Sequence, residues 1–202
     1  MTPKTVARTG VREDPARLQE GDNRVHAIRV LEEDHARIEA LLNELTCAGE
    51  ASRAKLSERI ARELVVHTTA EDYVFFPHVE EAVEDSNLAT EQFFDGDPEL
   101  LTEASRLLAR SYEHNGRIRE LLQRPRPATS EEEIDGLRRA VRLHIELEAE
   151  LFPKAREVLE EEDFERVGDL IEHCKWQVRG LAQSRLASSA SFRPSPVETL
   201  LE

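Results

Sequence analysis

The sequence predicts an all-α fold, an antiparallel up-down-up-down four-helix bundle with an additional C-terminal helix. Three observations point there. Glycine is sparse, eight in 202 residues, and long stretches are rich in the helix formers Ala, Leu, Glu and Arg. No run of alternating β-branched residues reads as a strand. Four segments carry apolar residues at steps of three and four, the period of one helix face, and each holds one His near its middle.

The elements follow in order. Residues 1–21 mix Thr, Pro, Gly and alternating charges without apolar period and are expected to form a flexible N-terminal arm. Asp22 and Asn23 are candidate caps for a first helix with the stripe Val25, Ile28, Leu31, His35, Ile38, Leu42 and Leu45, closed by Gly49. Ser52 is the candidate cap of a second, with the stripe Leu56, Ile60, Leu64, His67, Glu71, Val74 and His78; Pro77 is expected to kink or interrupt it. Residues 85–98 (DSNLATEQFFDGDP) read as a turn-rich connection. The third stripe is Leu100, Ala104, Leu107, Ser111, His114, Ile118 and Leu121, closed by Pro125 and Pro127. Ser130 with Glu133 fits a capping box, opening a fourth helix with Ile134, Leu137, Val141, His144, Glu148, Leu151, Ala155 and Val158 inward. The bundle is thus expected over 22–160. An accessory C-terminal helix over 161–187 is expected outside it, with Trp176 and His173 covering the bundle, and a disordered Ser/Pro-rich tail over 188–202.

An internal repeat organises the chain. His35 precedes His114 by 79 residues, His67 precedes His144 by 77, Glu71 precedes Glu148 by 77, and Pro77 precedes Pro153 by 76. Both halves are helical hairpins of one plan, and each must bury its apolar stripe on the other.

Taken singly, a His on an apolar helix face is more often a hydrogen-bonded core residue than a ligand. Here four stripes each carry one, and two add a Glu one turn later, on the same face. Two carboxylates buried without a cation would cost several kcal/mol or hold protons. His35, His67, Glu71, His114, His144 and Glu148 are therefore the candidate metal ligands, a set that iron, manganese or zinc accepts. Six ligands overfill most single sites, whereas the repeat assigns one ion to each hairpin with Glu71 and Glu148 central enough to bridge. At about six positions per ion, these side chains and one bridging oxygen leave about two positions open for a small ligand. Ferritin-like bundles order their motif Glu-x-x-His; here His precedes Glu, which argues against that class.

That order resembles the haemerythrin family, in its bacterial HHE cation-binding branch, over about residues 25–160. Asp34-His35, His67-x3-Glu71 with Phe76-Pro77, Glu113-His114, and His144-x3-Glu148 with Phe152-Pro153 carry the resemblance. It implies a four-helix bundle with a non-haem centre of two iron ions, His35, His67, His114 and His144 as terminal ligands, and Glu71 and Glu148 as bridges. Oxygen-carrying members have a further ligand His one turn from the third-helix His; here those positions are Arg110 and Ile118. The expected function is accordingly that of a di-iron protein binding or reacting with dioxygen, peroxide or nitric oxide, with enzymatic turnover left open. The competing expectation is a non-catalytic iron or oxygen sensor, or an iron-binding module, acting on a protein partner through its C-terminal segment.

Other residues have plainer readings. His26 and His78 lie about 13 Å and about 10 Å along their helices from the nearest ligand, too far to share its ion. Glu39 belongs to the solvated face, while Tyr73 and Tyr112 are candidates to support the ligands. Cys47 and Cys174 are ordinary thiols. The net charge of −15 repels nucleic acid and anionic membranes. Without an apolar leader or a span of roughly 20 apolar residues, a cytoplasmic location is expected.

Overall fold

The computed structural model describes residues 25–93, 98–123 and 130–191, with side chains for all of these but 88–93, 98 and 182–191. The predicted arm, the candidate caps Asp22 and Asn23, the prolines 125 and 127 and the end of the tail lie outside the described residues. Among the described residues every regular element is a helix: α1 (Ala27–Cys47), α2 (Glu50–Ala70), a π-turn (Glu71–Phe75), α3 (Phe76–Phe93), α4 (Pro98–Leu122), α5 (Glu131–Val158) and α6 (Glu161–Ser191). The α2 helix, the π-turn and α3 form one continuous rod. That rod, with α1, α4 and α5, makes the four-helix bundle, and α6 packs on the outside against α1, α2 and the π-turn.

The apolar stripes of α1 and α5 bury as the 3.6-residue period requires. Ser130 caps α5 with the reciprocal Glu133 bond of a capping box. Gly49 rather than Ser52 stands at the start of α2, and α1 begins at Ala27 without a side-chain cap. The expected connection over 85–98 is largely helix, because α3 runs on to Phe93. Its weak helix formers are absorbed locally, Ser86 donating its hydroxyl to the Ala82 carbonyl.

The second stripe departs from expectation beyond Glu71. Val74 and His78 are only half-buried, while Phe75, Phe76, Val79 and Val83 face the core. The π-turn is the cause. Phe76 N–H donates to the Glu71 carbonyl five residues back, so the turn holds one residue more than an α-turn and suits Pro77, which has no N–H to donate. The repeat records the same residue: Glu71 and Glu148 are 77 apart, whereas Phe76 and Phe152, like Pro77 and Pro153, are 76 apart. The extra residue lies in the first half, and α5 passes through Pro153 without a π-turn.

Two apolar clusters fill the interior. One gathers Ile28, Leu31, Phe75, Phe76, Leu107, Leu151 and Phe152 with Phe164, Val167 and Ile171 of α6. The other gathers Ile38, Leu42, Ile60, Leu64, Ile118 and Val141. Between them in every helix lies a polar layer: Asp34 and His35 on α1, His67 and Glu71 on the second rod, His114 and Asn115 on α4, His144 and Glu148 on α5. All are buried.

Candidate metal centre

Five of the six predicted ligands meet in that layer. His35, His67, Glu71, His144 and Glu148 each present one ligand atom, all within 4.8 Å of one another. The His67 Nε2 lies 3.1 Å from that of His35 and 3.0 Å from that of His144. Glu71 Oε1 is 2.7 Å from His67 Nε2, and Glu148 Oε2 is 3.1 Å from His35 Nε2. The i to i+4 spacing does this on both helices, setting each carboxylate one turn beyond its imidazole. His114 stands apart from the five. It is buried, its ring stacks on His144 at 6.4 Å between centroids, and its Nδ1 has no hydrogen-bond partner.

The electrostatics of the layer fit a cation. Both carboxylates are fully buried, and neither Glu148 oxygen accepts a hydrogen bond. Burial and then the neighbouring Glu71 charge push the Glu148 carboxyl well above its ordinary range. Burial opposes ionisation of Glu71 as well, but His67 and His144 beside it hold that carboxyl well below the usual range. Burial would also lower His67, yet the facing charges of Glu71 and Asp34 raise it to about 9. His35 and His144 are driven down, chiefly by burial, to about 3 and about 4. Two neutral imidazoles, His35 and His144, stand beside carboxylates with His67 between them, and a metal ion taking the place of the protons on His67 and Glu148 would complete this donor set.

These shifts set a pH dependence for the metal-free chain. His35 and His144 titrate lower folded than unfolded, so the unfolded chain takes up more protons below pH 6.5 and stability falls on acidification. His67 titrates higher folded, so its contribution is complete below 6.5 and is lost as the pH rises through about 9. Glu148 also titrates higher folded, so its contribution too is lost as the pH rises above the ordinary carboxylate range. The metal-free chain is therefore expected to lose stability both toward pH 5, where the two neutral histidines dominate, and toward pH 9. Urea melts in chelator between pH 5 and 9 check this; stability rising steadily toward pH 5 would contradict it.

Sequence reasoning missed three supports. Asn115, fully buried beside His114, donates to Glu71 Oε2 and to Asp72 Oδ1, each at 2.9 Å; Asp72 is in turn held by Arg119. Asn115 follows Ser111 by four and precedes Ile118 by three, so its place on the inner stripe was visible. Asp34 puts its Oδ2 3.5 Å from His67 Nδ1. Lys175 of α6, only 2% exposed, brings its ammonium 2.9 Å and 3.1 Å from the two Asp34 oxygens. It falls on the α6 stripe Phe164, Val167, Ile171, and a lysine at such a position was the available signal. Burial opposes ionisation of Asp34, but His67 and Lys175 hold it down to about 2.

The remaining histidines and tyrosines play other parts. His26 stacks on Phe164 and His78 contacts the Val74 carbonyl. Tyr112 packs edge-on against Phe76, and Tyr73 is 77% exposed, away from the ligands. Trp176 and His173 do not cover the bundle as expected. Both are exposed on the outer face of α6, because Lys175 and Ile171 take the inner one.

The family model described as "Hemerythrin HHE cation binding domain" matches residues 26–155, well over half of the chain. The chain belongs to the haemerythrin HHE family. No curated protein and no solved structure gives a match. The haemerythrin match spans α1 to α5 and includes all six predicted ligands, and it leaves α6 outside. This haemerythrin-like bundle thus carries a buried His/Glu cluster able to hold a metal ion. No helix among its described residues is long and apolar enough to cross a membrane.

Proposed function

We propose that the chain is a non-haem di-iron protein that binds or reacts with a small oxidant, dioxygen, peroxide or nitric oxide. The observation that carries this reading is the convergence of three imidazoles and two fully buried carboxylates in one layer, with neither Glu148 oxygen accepting a hydrogen bond. Glu71 and Glu148 would bridge two ions, one from each hairpin, and His35, His67, His114 and His144 would complete them. Iron held there supplies a redox-active Lewis acid with coordination positions left for a small ligand. The protein's own part is to set the donors and keep the layer dry. Asn115 fixes one Glu71 oxygen, the ring of Phe152 lies nearly parallel to His35 at 6.2 Å, and Phe75 packs edge-on against Phe152 with Phe76 beside it.

Anaerobic iron reconstitution followed by Mössbauer spectroscopy tests the proposal. Two irons per chain are expected, as a coupled pair whose spectrum changes on adding dioxygen, peroxide or nitric oxide. A single iron, or a pair inert to all three, overturns it. A second reading, a metal-dependent module read by a protein partner, draws support from Trp176 (72% exposed) and Leu181 (66% exposed) on the outer face of α6. It predicts a metal-dependent melting shift with no turnover of any oxidant.

A further inference from the structure

The α6 helix lies outside the family match, yet one of its side chains reaches the polar layer. Lys175 is as buried as the ligands, at 2% exposure, and a lysine is rarely so unless paired. Its partners are Asp34, through both oxygens, and Glu172, at 2.6 Å. Asp34 Oδ1 also accepts from Arg37 at 2.8 Å, which leaves Oδ2 facing His67 Nδ1 at 3.5 Å. These two buried atoms have no other hydrogen-bond partner and are placed to pair when the imidazole turns its second N–H to the carboxylate. His67 Nε2 points the other way, into the ligand cluster. A ligating imidazole is held in ring orientation and tautomer by the acceptor of its second N–H, and that acceptor in turn by its own partners.

We propose that Lys175 is a positioning residue of the metal centre, orienting the His67 ring through Asp34 and thereby making the accessory helix α6 part of the site. The inference rests on the metal reading above. Geometry separates it from simple charge neutralisation. Arg37 already supplies Asp34 with a cation on Oδ1, whereas the Lys175 ammonium also stands 2.9 Å from Oδ2, the oxygen turned to the ligand. The same helix is anchored further along by Arg179, which reaches Glu63 of α2 at 3.2 Å. Seating α6 therefore brings Lys175 to Asp34, and by reciprocity a metal ion that fixes His67 steadies α6.

Cobalt(II) serves as the test ion, because its paramagnetism shifts the imidazole N–H of each ligating His to a resolved, exchangeable NMR resonance. Lys175→Met is expected to weaken cobalt binding, measured by chelator competition, on the order of 10- to 100-fold. It is also expected to speed solvent exchange of the His67 Nδ1–H and to remove the slowing of α6 amide exchange that cobalt confers on the parent. Because that variant leaves Asp34 less compensated, the Asp34→Asn/Lys175→Met pair is measured beside it. The neutral pair is expected to recover the metal-free melting temperature while affinity stays low, an amide being a weaker acceptor for His67. Parent affinity with a parent His67 resonance in Lys175→Met overturns the inference, as does recovery of affinity together with stability in the pair. A parent chain that takes up no cobalt overturns the metal reading itself.

Discussion

Glu148→Gln is expected to melt higher than the parent when both are metal-free, and to lose the stabilisation that metal loading gives the parent. The two effects have one origin. In the bare fold the Glu148 carboxyl is fully buried, neither oxygen accepts a hydrogen bond, and Glu71 beside it adds a like charge. An amide of the same shape carries no charge to desolvate, and relief of about 1–3 kcal/mol is in keeping with other buried-charge replacements. With about 2–4 °C per kcal/mol at this chain length, the gain is several degrees. Metal reverses the order. An ion at about a hundred times its dissociation constant adds about 2.7 kcal/mol to the parent, and the variant, lacking an anionic oxygen to offer, is expected to forgo most of it. Thermal melts with chelator and with iron, alongside iron content per chain, read both effects. An unchanged metal-induced shift in the variant would remove Glu148 from the ligand set.

Gly168→Ala is expected to be among the most destabilising small changes available, at about 3 kcal/mol, or on the order of 6–12 °C in melting temperature. The cause is a backbone contact rather than conformation. A Cβ at this position would stand 1.6 Å from the Val25 carbonyl oxygen and 2.6 Å from its carbon. Those are main-chain atoms leading into α1 and have no rotamer to escape into. The methyl is accommodated only if α6 lifts off, which uncovers Phe164, Val167 and Ile171, all buried in the larger apolar cluster. Faster amide exchange confined first to α6 would accompany the loss. A variant melting within about 2 °C of the parent would mean that α1 and α6 do not approach so closely.

What the sequence made legible divides along the range of the interaction. Within one helix, i to i+4 geometry is enough: His67 with Glu71 and His144 with Glu148 were readable because their relation is local, and the match of the halves brought in His35. The supports were harder to read. Lys175 acquires meaning only from Asp34, 141 positions away, and no periodicity reports which helix an outer segment will lie on. Asn115 is merely the sequence neighbour of a ligand until α4 packs on the second rod and its amide meets Glu71. The bundle itself was legible because four inward stripes leave few ways to bury them. The extent of α3 was not, since Asp85, Ser86 and Asn87 are turn formers by preference and the helix carries them at a small local cost.

The π-turn has a consequence for helical phase. One extra residue in an α-helix rotates everything after it by about 100°, and without compensation Phe76, Val79 and Val83 would swing away from the core. Widened into a five-residue turn, the helix takes up the surplus where Tyr73 projects into solvent, and the angular setting on both sides is kept. The two hairpins consequently keep a common frame before and after this turn while differing inside it. Glu71 leaves a widened coil and Glu148 a regular one, so the two bridging candidates rise from main chain of different winding, and the twofold relation of the halves is broken at the carboxylates.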